Sequence, residues 1–182
     1  MRENKSKRLV IDASVAGASS DIHAREPVAK NCRNFLQSVL KICHHVVLTN
    51  EITGEWNKHQ STSARKWRVQ MVSKGKVLIV DIPPNTQIRT GIKGKLSTDS
   101  ALQYLEKDII LIEAALLTDK TIISLDDKAQ KGFSEISQEL KKLRSIVWVN
   151  PQENAEEKLS WLRDGANPVE KYKLGFVDQQ GG

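Results

Sequence analysis

Two cysteines in 182 residues are too few to staple a fold, and both fall in one helix-like stretch, CRNFLQSVLKIC, residues 32–43. There Cys32 and Cys43 share a mostly apolar face with Phe35, Leu36, Val39 and Leu40. They read as core thiols of a protein kept in a reducing, cytoplasmic compartment. No apolar run approaches the roughly 20 residues that cross a bilayer, so no membrane partner is expected. The charged opening MRENKSKR leads into an apolar segment that Asp12 breaks within a few residues, which is not the pattern of a signal peptide. GxGxxG, P-loop, GxSxG and zinc-spaced Cys/His patterns are all missing, as are internal repeats and, apart from the tail DQQGG, low-complexity tracts. Function therefore has to be sought in residues scattered along the chain.

What is present suits a globular protein: 39% hydrophobic and 27% charged residues. The length allows one well-buried core. The expected organisation is a domain over residues 1–150 followed by a C-terminal helix and loose tail over 151–182. A net charge of +6 and a pI near 9.3 favour an anionic partner, although charge speaks to association and not to fold.

Short apolar runs alternate with helical patterns. Leu9 to Ile11 predict a first strand ending at Asp12, and Glu26-Pro27 opens a helix to about Ile42 with proline in its first turn. HHVVLTN is a second strand, followed by a helix through NEITGEW with Asn50 as candidate cap. STSARKWRVQMVSKG continues helical, with a basic face, to about Gly75. KVLIVDIPP is a third strand halted by Pro83 and Pro84. Residues 85–107 are polar, contain Gly91 and Gly94, and predict a loop before a short helix around Ser100 to Leu105. A largely buried helix starts at Asp108, with Ile109, Ile112 and Leu116, and Ile110, Glu113 and Leu117, at helical spacing. TIISL is a fourth strand, SEISQELKKL a helix and IVWVN a fifth strand, and Asn150-Pro151 caps a last helix to about Arg163. The pattern predicts an α/β fold: three α/β/α layers around a central, mostly parallel sheet of four or five strands.

Asp12 closes the first strand and Asp126 the fourth, so in a parallel sheet both project from the same edge, where ligands of such sheets bind. Asp108 opens the buried helix and should sit at one end of the core. Each acid has an ordinary explanation: Asp126 or Asp127 as a helix N-cap, Asp108 as an acid favoured by the helix dipole, Asp12 as a turn former. Gathered at one edge, however, carboxylates repel one another unless a cation neutralises them, and hard oxygen ligands suit Mg²⁺ or Mn²⁺.

The order VIDASV, NEITGEW, KDIILIEAAL and IISLDD resembles the PIN-domain ribonucleases, which include the VapC-type toxins of toxin/antitoxin pairs. The likeness spans roughly Arg8 to Val149, and KDIILIEAALLTDKTIISLDD is its most specific part. It implies a PIN-like endoribonuclease, a hydrolase of RNA phosphodiester bonds using one or two Mg²⁺ or Mn²⁺ ions. Carried over residue by residue, Asp12, Glu55, Asp108 and Asp126 are the catalytic acids and Asp12, Asp108 and Asp126 the metal ligands. Ser14 and Ser124 are supporting hydroxyls, and Asp127 is a helix cap or outer support. Glu51 competes with Glu55, but at the first turn of its helix an acid is explained by the dipole. The segments between Pro84 and Lys107 and after Asn150 are longer than compact members need. In the toxin branch the partners would be an antitoxin protein masking the acids and a second copy of the chain in a homodimer.

SARKWRVQ places Arg65, Lys66 and Arg68 around Trp67, and TQIRTGIKGK adds Arg89, Lys93 and Lys95, a combination that suits phosphate contacts and base stacking on single-stranded RNA. The alternative is a solvated helix face with Trp67 turned to the core, which leaves the loop charges as the better RNA-binding candidates. His44 and His45 should point to opposite faces of a strand, and His59 lies one turn after Glu55. Trp56, Trp148 and Trp161 read as packing residues. Two other functions fit the same pattern: a catalytically inactive PIN-like module that binds RNA or protein, and a receiver-like phosphoacceptor using a strand-end Asp.

Overall fold

The structure, a computed structural model, describes residues 6–20, 26–83 and 86–177. Among these, five short strands form one all-parallel sheet in the order β3-β2-β1-β4-β5. The strands are β1 (Arg8–Ile11), β2 (His45–Leu48), β3 (Val77–Ile79), β4 (Thr121–Ile123) and β5 (Val147–Val149). Val10 pairs with Val47 on one side and Ile122 on the other, which puts β1 in the middle. The unbroken apolar runs of β1, β4 and β5 carry no alternation because both sheet faces are covered. All three residues of β4 and of β5 are buried. At the β3 edge Ile79 is exposed.

Eight α-helices pack around the sheet among the described residues: α1 (Ala13–Ala18), α2 (Pro27–Lys41), α3 (Asn50–His59), α4 (Thr62–Ser73), α5 (Gln87–Thr98), α6 (Ile109–Leu116), α7 (Asp127–Ser137) and α8 (Ala155–Arg163). Parallel crossovers are right-handed. The β1-to-β2 and β2-to-β3 connections therefore lie on one face, where α2 packs on α4 and α8. The β3-to-β4 and β4-to-β5 connections lie on the other, where α5 packs on α6 and α7 packs on a 3-10 helix, Ser100–Asp108. The result is the three-layer α/β/α arrangement expected from the sequence.

Several boundaries depart from expectation. The segment expected as a loop holds α5, capped by Thr86, whose hydroxyl accepts from Arg89 N at 3.3 Å. Ile92 and Leu96, one turn apart and both buried, are enough to dock a helix that its two glycines disguise. α3 is capped by Thr49 rather than Asn50: the Thr49 hydroxyl accepts from Ile52 N at 3.1 Å, and Asn50 is already helical. α7 starts at Asp127 and stops at Ser137, and Lys141–Leu143 form a separate 3-10 turn, so SEISQELKKL is not one helix. α8 begins at Ala155, after Asn154 in the left-handed region (φ 46°), and not at Asn150-Pro151. The short α1 directly after Asp12 has no counterpart in the sequence-based expectation.

Buried Lys76 is tied down by its neighbours. The Lys76 ammonium donates to the carbonyls of Val39 at 2.6 Å, Leu40 at 2.9 Å and Ile42, satisfying the open end of α2. Beyond β5 the chain stays on the same core. Leu159, Trp161, Leu162, Tyr172 and Leu174 are buried in it, and Leu174 N donates to Ile146 O at 2.9 Å. Residues 151–177 thus pack as part of the domain. The tail DQQGG and Pro84 lie outside the described residues. No helix among the described residues is long and apolar enough to cross a membrane.

Candidate metal and phosphodiester site

In a sheet of order 3-2-1-4-5 the chain reverses direction between β1 and β4, and ligands bind outside the carboxyl ends of the strands at that point. Asp12 follows β1 and Asp126 follows β4 by three residues, so the topology alone brings them to one crevice. A cleft of about 970 Å³ opens there, and its lining includes Asp12, Glu55, Asp108 and Asp126.

Asp12 is fixed by backbone and side chain. Its N–H extends the ladder to Ile123 O at 2.9 Å. Although it stands at the N-cap of α1, its carboxylate makes no capping bond. Instead Oδ2 accepts from the hydroxyls of Ser14 at 2.5 Å and Ser124 at 3.0 Å. The same hydroxyls accept from Leu125 N at 3.2 Å and Asp126 N at 3.1 Å. Both serines thereby stitch the end of β1 to the loop after β4 and hold Asp12 in one orientation.

Asp126 meets the ordinary explanation, that of a helix N-cap. Oδ1 caps α7 by accepting from Ala129 N at 2.8 Å, while Oδ2 lies 3.7 Å from Lys107 Nζ. Asp127 does not cap the helix. It accepts from Asn150 Nδ2 at 2.8 Å and ties α7 to the end of β5.

Asp108 is the most unusual of the four. It ends the 3-10 helix where α6 begins, is 8% exposed, and its Oδ2 has no hydrogen-bond partner. Burial, and then the charges of Asp12, Asp126 and Glu55 against the opposing Lys107, push its carboxyl up to about 7. The groups that repel it are the other three acids picked out in the sequence, which puts each of them within electrostatic reach of Asp108.

Glu55 rides on α3, where the neighbouring Trp56 donates its indole N–H to Ile11 O at 2.9 Å and pins the helix beside the end of β1. Its side chain is half-exposed, its carboxylate bonded to Lys58 at 2.8 Å and 3.6 Å from His59 Nε2. The Lys58 bond is the main cause holding it below the usual glutamate range. Glu51 lines the same cleft, as do Glu106, Lys58, His59 and Lys107. Of these, Lys107 was missed in the sequence, although it directly precedes Asp108.

Among the described residues, no three carboxylate, imidazole or thiol side chains are close enough, as they stand, to enclose one metal ion. The acids share a cleft without converging. In donor type and charge they fit a hard divalent cation: four carboxylates, one of them buried with an orphaned oxygen, where a buried unpaired charge is costly.

The proposed RNA contacts fare differently. The segment carrying Arg89, Lys93 and Lys95 is α5 and not a free loop. Arg89 makes a bidentate pair with buried Glu113, through Nε at 2.7 Å and Nη2 at 2.5 Å. Lys95 pairs with Glu139, and Lys93 lies 4.0 Å from Glu106. On α4, Trp67 is buried, stacked on Trp56, and donates to Leu36 O at 2.5 Å, the core role weighed above. Arg65 and Lys66 are exposed, and Arg68 donates to Asn57 at 2.9 Å. None of these six basic residues lines the acidic cleft.

Comparison with protein-family models, curated proteins and solved structures finds no match. The likeness to PIN-domain ribonucleases therefore rests on the residues themselves.

Proposed function

We propose that this chain is a PIN-like, divalent-metal-dependent nuclease that hydrolyses RNA phosphodiester bonds in the cleft between β1 and β4. The observation that carries the reading is Asp108, a buried carboxylate with a free oxygen, facing three further acids drawn from distant parts of the chain. Such an arrangement is unfavourable by itself and becomes favourable with a bound cation.

Asp12, Asp108 and Asp126 would hold Mg²⁺ or Mn²⁺. Such an ion supplies a more acidic water and charge stabilisation on the oxygens of an in-line displacement at phosphorus. The chain's own residues do the rest. Ser14 and Ser124 fix the Asp12 carboxylate, and the cap to Ala129 fixes Asp126. Glu55 would orient a water, and Lys58 and Lys107, which line the same cleft, would offer cations to a phosphate backbone carrying the opposite charge. The net charge of +6 accords with a polyanionic substrate.

The test is cleavage of single-stranded RNA with Mg²⁺ or Mn²⁺. Activity should disappear with chelator and with Asp108→Asn; metal-dependent cleavage that survives Asp108→Asn refutes the assignment. A second reading is a PIN-like module that binds RNA without cutting it. RNA binding with no turnover under any divalent ion would establish that reading. Topology counts against a receiver-like fold, whose strand order is 2-1-3-4-5 whereas this sheet has 3-2-1-4-5.

A further inference from the structure

Lys107 occupies a singular place. Its ammonium lies 3.9 Å from Asp108 Oδ2 and 3.7 Å from Asp126 Oδ2, so it bridges two acids that belong to different segments of the chain. The contacts are about 1 Å longer than a charge-assisted hydrogen bond, which is about 2.8 Å. The Lys107 side chain is 69% exposed, whereas that of Asp108 beneath it is 12% exposed, with Oδ2 lacking any hydrogen bond. A loosely held cation thus sits over an unpartnered buried oxygen.

We propose that Lys107 is a built-in competitor for the divalent ion: its ammonium neutralises Asp108 and Asp126 in the metal-free protein and must leave before those two carboxylates can ligate. The inference rests on the metal-site reading above and adds to it the group that sets the affinity. Three features carry it. The ammonium is a monovalent point charge with no fixed geometry, so it offsets repulsion without closing a coordination shell. Its long stem is solvent-exposed, so it can swing out without moving the backbone. Its backbone neighbour is Asp108 itself, so release and ligation occur at one place in the chain. As a consequence the cleft stays tolerable without metal but binds it more weakly than bare carboxylates would.

The experiment is calorimetric titration of the full chain with Mn²⁺ at pH 7.5, paired with melting curves in chelator and in excess Mn²⁺. Lys107→Gln should bind Mn²⁺ about three- to tenfold more tightly than wild type, the range expected from losing two exposed ion pairs. It should also melt lower than wild type in chelator. Lys107→Arg keeps the charge and should stay within about twofold. Lys128→Gln is the control for a general charge effect: Lys128 is exposed, lies 4.0 Å over the Tyr104 ring and is two residues from Asp126, yet does not bridge the acids. It too should stay within about twofold. Unchanged or weaker binding by Lys107→Gln, or equal tightening by Lys128→Gln, overturns the proposal while leaving the metal site intact. No Mn²⁺ binding by wild type or any variant overturns the metal site and the competitor with it.

Discussion

Replacing Asp108 by asparagine should make the protein more stable at alkaline pH. The folded protein raises this carboxyl from its ordinary value of 3.8 to about 7, with burial as the largest cause. Between about pH 4 and pH 7 the native state therefore keeps a proton that the unfolded chain has already lost. By linkage, stability falls as pH rises through that window and levels off above it. Each tenfold difference in proton affinity is worth about 1.4 kcal/mol, so the gap corresponds to about 4 kcal/mol of destabilisation at pH 8. An amide carries no charge, but it leaves its own buried polar atoms poorly paired, at a cost of about 1–2 kcal/mol. The net expectation for Asp108→Asn at pH 8 is a gain of about 2–3 kcal/mol, or about 4–12 °C in Tm for a chain of this size. Near pH 4, where the native aspartate is protonated, only the amide's own cost remains and the variant should be less stable by about 1–2 kcal/mol. Melting curves in chelator at pH 4, 6 and 8 measure it. A variant that is no more stable at pH 8, or a difference that does not change with pH, refutes the claim that Asp108 is buried among like charges. Saturating Mn²⁺ should reverse the ranking, because only wild type gains binding energy from the ion.

Two further substitutions probe the frame that carries the cleft. Arg89→Ala strands the buried Glu113 carboxylate and should cost about 2–4 kcal/mol by denaturant unfolding, with Arg89→Ala/Glu113→Gln recovering much of the loss; a cost below about 0.5 kcal/mol would contradict the bidentate pair. Gly132→Ala should destabilise despite alanine's better helix propensity, by about 1–2 kcal/mol, because the new Cβ would stand 2.6 Å from Tyr104 Oη and 2.8 Å from Leu105 Cδ1, and a rise in Tm would show that α7 and the 3-10 helix are not held that close.

How far the sequence discloses this arrangement depends on the kind of interaction involved. β1, β4 and β5 were legible because unbroken apolar, β-branched runs have few alternatives to a buried parallel strand. Asp12 and Asp126 were legible because a strand terminus in such a sheet has a fixed address. α5 was not, since Gly91 and Gly94 and a polar surface hide a helix held by Ile92 and Leu96 packing on the core. Arg89 looked available for phosphate because its partner, Glu113, lies 24 residues later inside an apolar stripe, where a lone acid demanded a cation that spacing could not name. Lys107 was overlooked for a similar reason. Adjacency to Asp108 was visible, but the bridge to Asp126 depends on how the 3-10 helix meets α7 in space.

The most direct measurement is a crystal structure of the full chain soaked in Mn²⁺, with the ion located by its anomalous scattering. The account predicts a peak in the β1/β4 cleft within about 2.2 Å of carboxylate oxygens of Asp12, Asp108 and Asp126, with the Lys107 side chain swung away. A cleft that stays free of the ion at millimolar Mn²⁺, with Lys107 still bridging Asp108 and Asp126, would contradict it.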